Sequence, residues 1–202
     1  IINWLNHLSQ DREKMHVRLV KGAYWDYEIK NAQVKGLKGY PVFTNKQLTD
    51  LNYLVTAKKL MECGNLDASF ATHNAHSIAS IMSLSESSKN KIKFQRLYGM
   101  GELLYSACHS TYKKFPDTTI YCPIGRHKEL LPYLVRRLLE NGANSSFINK
   151  YLNNNIAAKN LAQNPADAIK EKIDHLDLSN IELPSNIYLP RINSQGFDLN
   201  EQ

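Results

Sequence analysis

Cysteine is scarce in this sequence, and the three present, Cys63, Cys108 and Cys122, are odd in number and lack CxxC spacing. That argues against a zinc site and for a reducing, cytoplasmic setting. No apolar run approaches the roughly 18 residues a membrane helix needs. Ile1-Ile2-Asn3-Trp4 resembles neither an initiator methionine nor a signal peptide, so the chain reads as starting inside a helix of a longer protein. Gly99 and Gly101 lack the third glycine of a dinucleotide fingerprint. His73 and His76 have no carboxylate or third ligand at useful spacing, which argues against a metal centre there. There is no internal repeat. The formal charge of +6 comes from scattered lysines rather than a basic block interleaved with aromatics, so it serves solubility and no nucleic-acid partner is expected.

What is present suffices for a core: 202 residues, 43% hydrophobic and 22% charged. Ile2, Leu5 and Leu8 have helical spacing, and Met15 to Val20 reads as a strand ending at Lys21-Gly22. A helix follows from Asp26 to about Val34. Thr44-Asn45-Lys46-Gln47 fits a capping box for the next, with Leu48, Leu51, Leu54, Val55 and Leu60 as its apolar side. Ala68–Thr72 and Lys91–Leu97 read as strands, Asn74 caps a helix holding Ile78 and Ile81, and Glu102 to about Ser110 is helical. Thr118 to Cys122 is the last strand and Lys128 to Glu140 the helix after it. Asn164-Pro165 opens one further helix, running through Ile173.

Four strands each followed by a helix make a βα repeat with parallel strands and right-handed crossovers, either an open doubly wound sheet or a (β/α)8 barrel. Each strand ends in a polar or glycine-containing signature, as a barrel with its site at the strand C-terminal ends requires. The expected fold is therefore α/β, the C-terminal half of a distorted barrel in four parallel βα units. Its interior layer is expected to draw on Val17, Leu19, Phe70, Phe94 and Ile120, with the register open by one residue. Residues 1–150 would form the half-barrel, 151–177 a helical extension and 178–202 an extended linker.

The helix after the last strand carries Leu131, Leu134, Val135 and Leu138 on one face, and Tyr133, Arg136, Arg137 and Glu140 on the other. Spacing alone favours a solvated polar face with an Arg136 to Glu140 pair worth roughly 0.2–0.5 kcal/mol. The alternative is an anion site, since two adjacent arginines can bracket a carboxylate with planar donors. Val20 to Trp25 is either a tight packed turn or a close backbone approach to a ligand. Thr72-His73-Asn74 is either an N-cap beside a surface histidine or a phosphate site at a helix start.

Four long motifs, in register, carry a resemblance: Arg18-Leu-Val-Lys-Gly-Ala-Tyr-Trp-Asp26, Phe70-Ala-Thr-His-Asn-Ala-His76, Phe94 to Glu102, and Tyr133-Leu-Val-Arg-Arg-Leu-Leu-Glu-Asn-Gly-Ala-Asn144. They resemble the proline dehydrogenase domain of the bifunctional proline utilisation A flavoenzymes, over about residues 12 to 150. The tail from Ile187 to Leu199 resembles that family's connection to its aldehyde dehydrogenase module. The resemblance implies noncovalent FAD, oxidation of L-proline to 1-pyrroline-5-carboxylate on the route to glutamate, and quinone as electron acceptor, with the parent enzyme associating with the inner membrane surface. It assigns Arg136 and Arg137 to the proline carboxylate, and Tyr133, Tyr121, Tyr24, Leu19 and Leu97 to the walls around the ring. Arg18 would lie near the flavin's reactive edge, and Val20, Lys21, Gly22, Ala23, Trp25, Thr72, His73, Glu140, Ser146 and Phe147 would hold the rest of FAD.

The first half of the family's barrel, with its lysine and aspartate near the substrate, is not in these 202 residues. A lone copy is therefore expected to hold cofactor weakly and to associate, with the missing half of the barrel or with a second copy. Three rivals differ in what they predict. A monofunctional proline dehydrogenase would not need the tail, an aldolase-type barrel would bind phosphate and show no flavin absorbance, and a non-catalytic module would bind polyanions in a salt-sensitive way.

Overall fold

The structure, a computed structural model, describes residues 1–10, 13–22, 24–88, 90–142, 164–174 and 181–194. Its elements are α1 Ile2–Leu8, β1 Met15–Val20, α2 Trp25–Lys35, α3 Lys46–Glu62, β2 Leu66–Ala71, α4 Ala75–Ser85, β3 Ile92–Leu97, α5 Glu102–Thr111, β4 Thr118–Tyr121, α6 His127–Gly142 and α7 Pro165–Asp174. They fall into two compact units, one of Ile1–Lys21 with Asn52–Ala162, the other of Gly22–Leu51 with Gln163–Gln202.

The first unit holds a parallel sheet in the order β1-β2-β3-β4, as the βα repeat predicts. Pairing places Leu19, Phe70, Phe94 and Thr118 in one row across all the strands. Phe70 and Phe94 are fully buried among Ala57, Leu60, Ile78, Ile81, Tyr105 and Cys108 of the helices. Val17 and Leu19 join the same cluster. The expected interior layer is thus offset by one residue. The row of large apolar side chains fills the space between sheet and helices, which is where that much volume must go. Ile120 remains 48% exposed.

Alternation then puts the neighbours Arg18, Val20, Ser69, Gln95, Leu97 and Tyr121 on the opposite, inner face. At the strand starts of that face Asp67 accepts from His16 Nδ1 at 2.8 Å and from Lys93 Nζ at 2.9 Å. The Lys93 hydrogen bond, against partial desolvation, holds the Asp67 carboxyl below the usual carboxylate range. The stability so gained is full above the unfolded carboxylate value of about 3.9 and is lost as pH falls through the lower folded value. Lys93→Met should flatten the pH dependence of the urea midpoint in that acid window and cost under about 1 kcal/mol at neutral pH, because the groups are partly solvated. An acid limb identical to wild type would rule this origin out.

Helix α3 buries Tyr53, Ala57, Leu60 and Met61 at i, i+4, i+7 and i+8, while Val55 is 46% exposed. The buried stripe is set by this spacing and not by the leucines and valine alone. Its start is capped by Asn45, whose Oδ1 accepts the Gln47 amide at 2.9 Å.

In the second unit Ile29, Ala32 and Ile169 are buried. The Trp25 indole N–H donates to the Phe43 carbonyl at 2.8 Å, and the Tyr40 hydroxyl to that of Glu182 at 2.6 Å. Helix α7 begins as its Asn-Pro signature predicts, with Asn164 Oδ1 accepting the Ala166 amide at 3.0 Å. The expected extended linker is folded over residues 181–194 into hydrogen-bonded turns, where Asn193 donates to the carbonyls of Ser185 at 3.2 Å and Pro184 at 3.0 Å. Local amide bonding by Asn competes with extension.

Candidate active site

The inner face at the strand C-terminal ends collects the chemistry of the first unit. The Arg18 guanidinium stands 5.7 Å from the centre of the Tyr121 ring. β1 and β4 are three strand spacings apart, roughly 14 Å, so both side chains lean inward over the inner face. Tyr121 lies 6.3 Å from Tyr133, and the Arg137 guanidinium 5.5 Å from the Tyr133 ring. β1, β4 and α6 thereby contribute one continuous run of guanidinium, phenol, phenol and guanidinium. Leu97, paired with Tyr121 in the sheet and nearly buried, gives this face an apolar patch.

Helix α6 is oriented against the reading that spacing favoured. Leu131, Leu134, Val135 and Leu138 are 50%, 37%, 42% and 61% exposed, whereas Tyr133, Arg136 and Arg137 are half-buried. The polar arc faces the strand ends. Half-burying two guanidiniums ahead of four aliphatic side chains costs desolvation, and an anion held between their planar donors is an arrangement that would offset it.

A second cluster joins β2, β3 and α5. The Leu97 amide donates to His73 Nε2 at 3.0 Å. The Tyr105 hydroxyl donates to the Thr72 carbonyl at 2.9 Å and lies 3.2 Å from that of Gln95, so it ties two strand ends together. Burial, then the charges of Arg96 and Arg137, pushes the His73 imidazole below its ordinary value. Thr72 Oγ1 accepts the Asn74 amide at 3.1 Å, and Asn74 caps α4 by accepting from Ser77 at 3.0 Å. Lys21 Nζ donates to Ser77 Oγ at 3.0 Å and sits 5.1 Å over the Tyr53 ring, a cation held beside a helix start. Arg18 and Lys21 at the end of β1, together with the neutral imidazole of His73, are donors that would suit a ligand carrying phosphates and ring acceptors.

Arg18, Val20, Lys21, Thr72, His73, Leu97, Tyr121, Tyr133, Arg136 and Arg137 thus all lie in one unit. Leu19 does not join the inner face: it belongs to the helix-side cluster, so it cannot wall a ligand there. Gly22, Tyr24 and Trp25 fall in the second unit, where the Trp25 N–H is used by Phe43. Ala23, Ser146 and Phe147 lie outside the described residues, as does the side chain of Glu140. Arg96 and Tyr105 were not singled out from the sequence, and Gly101 was noted there only as half of a glycine pair without a dinucleotide fingerprint. Gly101 had a legible signal, a glycine at a strand-to-helix turn, and its φ of +70° is the conformation that glycine supplies.

The proline dehydrogenase family model matches residues 1–150. The chain belongs to the proline dehydrogenase family. It is 44% identical to the bifunctional protein PutA of Klebsiella aerogenes over 98% of its own length and 16% of that protein's. It is 33% identical to the mitochondrial proline dehydrogenase 2 of Arabidopsis thaliana over 67% of its length and 30% of that protein's. A crystal structure of a proline utilization A variant from Bradyrhizobium japonicum superposes with a TM-score of 0.86 at 46% identity, covering 96% of this chain and 20% of that one. This proline dehydrogenase segment therefore spans about a sixth of the length of its bifunctional relatives.

Proposed function

We propose that these residues are the C-terminal half of a proline dehydrogenase barrel that oxidises L-proline to 1-pyrroline-5-carboxylate with FAD, electrons passing on to quinone, inside a bifunctional enzyme that carries the product to glutamate. The observation that carries the reading is the convergence of Arg18, Tyr121, Tyr133 and Arg137 over the inner face of one sheet. Arg137, with Arg136 beside it, holds the substrate carboxylate by planar charge-assisted hydrogen bonds. Tyr121, Tyr133 and Leu97 pack the ring and exclude water, fixing the carbon next to the ring nitrogen in place for reaction. Arg18, Lys21 and His73 would hold FAD, which when bound supplies the acceptor of the hydride. Among the described residues β1 and β4 are the edge strands of the sheet, and the remaining strands of the barrel would add there. Residues 178–202 would lead toward the aldehyde dehydrogenase module. Contact of the parent enzyme with the inner membrane surface, in a cytoplasmic setting, goes with quinone as acceptor.

An absorbance spectrum of the full-length protein tests the reading. Bound flavin should bleach when proline is added without another acceptor. Arg18→Met should weaken flavin binding or lower its reduction potential, because a cation near the reactive edge stabilises the anionic reduced form. No flavin band, or a band indifferent to proline, would overturn the proposal.

A further inference from the structure

The β3–α5 turn contains two glycines in the left-handed region, Gly99 at φ +76° and Gly101 at φ +70°. They differ in what surrounds them. A Cβ at Gly99 would meet nothing within 4 Å, whereas one at Gly101 would stand 2.9 Å from His73 Cδ2 and 3.5 Å from Tyr105 Cδ2. The imidazole therefore lies in the space that a side chain at 101 would need.

Its other contacts fix which nitrogen carries the proton. A backbone N–H can only donate, so the Leu97 amide at 3.0 Å requires a lone pair on His73 Nε2. The neutral ring then has its proton on Nδ1, and among the described residues no group accepts from Nδ1. The backbone on either side is clamped, through Tyr105 on the Thr72 carbonyl and the Asn74 amide on Thr72 Oγ1.

We propose that Gly101 is a positioning residue for the site: its missing side chain lets His73 seat against the turn as the Nδ1–H tautomer, a directed neutral donor to an acceptor atom of the bound flavin. A third cation at this point is excluded by the same contacts, since protonating Nε2 would break the Leu97 bond. Of the charged and titratable groups around the ring, the two arginines act in the same sense, while Glu102 partly offsets one of them. Arg96 on β3 and Arg137 on α6 both disfavour an imidazolium. Glu102 on α5 lies 3.7 Å from Arg96, and Tyr105 on α5 is neutral because burial raises its phenol.

The last step of this inference rests on the flavin reading; the first does not, and the experiment separates them. In the full-length protein labelled with ¹⁵N-histidine, the His73 signals should show the Nδ1–H neutral form persisting below the pH at which a free imidazole titrates, about 6.5. Gly101→Ala should lose that signature and Gly99→Ala should keep it, although both place a Cβ on a left-handed residue. Flavin titration should show affinity lowered about tenfold in Gly101→Ala, the loss expected for one ligand hydrogen bond. In a His73→Ala background Gly101→Ala should cost no further flavin affinity, and His73→Gln, which can still accept from Leu97 and donate outward, should recover most of it. An Nε2–H ring in the wild type, or equal tautomer changes in both glycine variants, would overturn the positioning role whether or not flavin binds. An intact tautomer response with flavin affinity unmoved would overturn the donation to flavin alone. Absence of flavin binding in the wild type would remove the flavin reading and leave the tautomer result to decide the rest.

Discussion

Arg137→Lys is expected to raise the KM for L-proline well above tenfold in the full-length protein, and Arg136→Lys to raise it in the same direction. The charge is kept in both, so the loss isolates the planar fork. Arg137 is half-buried and lies over the Tyr133 ring at a guanidinium-to-centroid distance of 5.5 Å, and its planar fork of donors is what an ammonium cannot reproduce. Removing one partner of a desolvated, hydrogen-bonded charge pair costs about 2–5 kcal/mol, and each 1.4 kcal/mol or so is a factor of ten. The carboxylate itself takes no part in the hydride transfer, so most of the penalty should fall on KM. Steady-state kinetics on the two variants decides it: an unchanged KM in both would remove the arginines from the substrate.

The order of elements was legible because each rests on a local signal. β1 and the start of α7 follow from β-branched runs and from Asn-Pro, and neither needs a distant partner. The orientation of α6 was not legible. Its apolar stripe and its Tyr133-Arg136-Arg137 arc are equally regular, and a helix standing alone would turn the leucines inward. Which arc faces the strand ends depends on Tyr121 and Arg18, more than ten and a hundred residues away, and only the fold brings them together. Leu19 shows the same limit at a finer scale. Its neighbours Arg18 and Val20 share the other face, and a one-residue choice of register decides between ligand wall and helix-side core. His73 could be read from sequence as a donor near a helix start, but its protonation state is set by the Leu97 amide and by arginines from two other elements.

The largest stability effect is expected from Phe94→Ala. Phe94 is fully buried at the centre of the sheet, paired with Phe70 on β2 and Thr118 on β4. Its ring stacks on Phe115 at 5.1 Å and meets Tyr105 edge-on at 6.3 Å, so it joins β3 to α5 and to the loop before β4. Truncation removes the transfer free energy of the ring and leaves a cavity that neighbours held by backbone pairing can fill only partly, a cost of about 3–5 kcal/mol. Tyr105 depends on that wall, and Tyr105 ties the Thr72 and Gln95 carbonyls together at the site, so the variant should also loosen flavin binding. Leu103→Ala, on α5 two residues before Tyr105 and 88% exposed, is the matched control and should change stability by no more than about 0.5 kcal/mol. Urea unfolding of the two variants beside wild type measures both. A Phe94→Ala loss no larger than that of Leu103→Ala would mean that Phe94 does not pack as the sheet-to-helix row requires, and the assignment of helix-side and inner faces would fall with it.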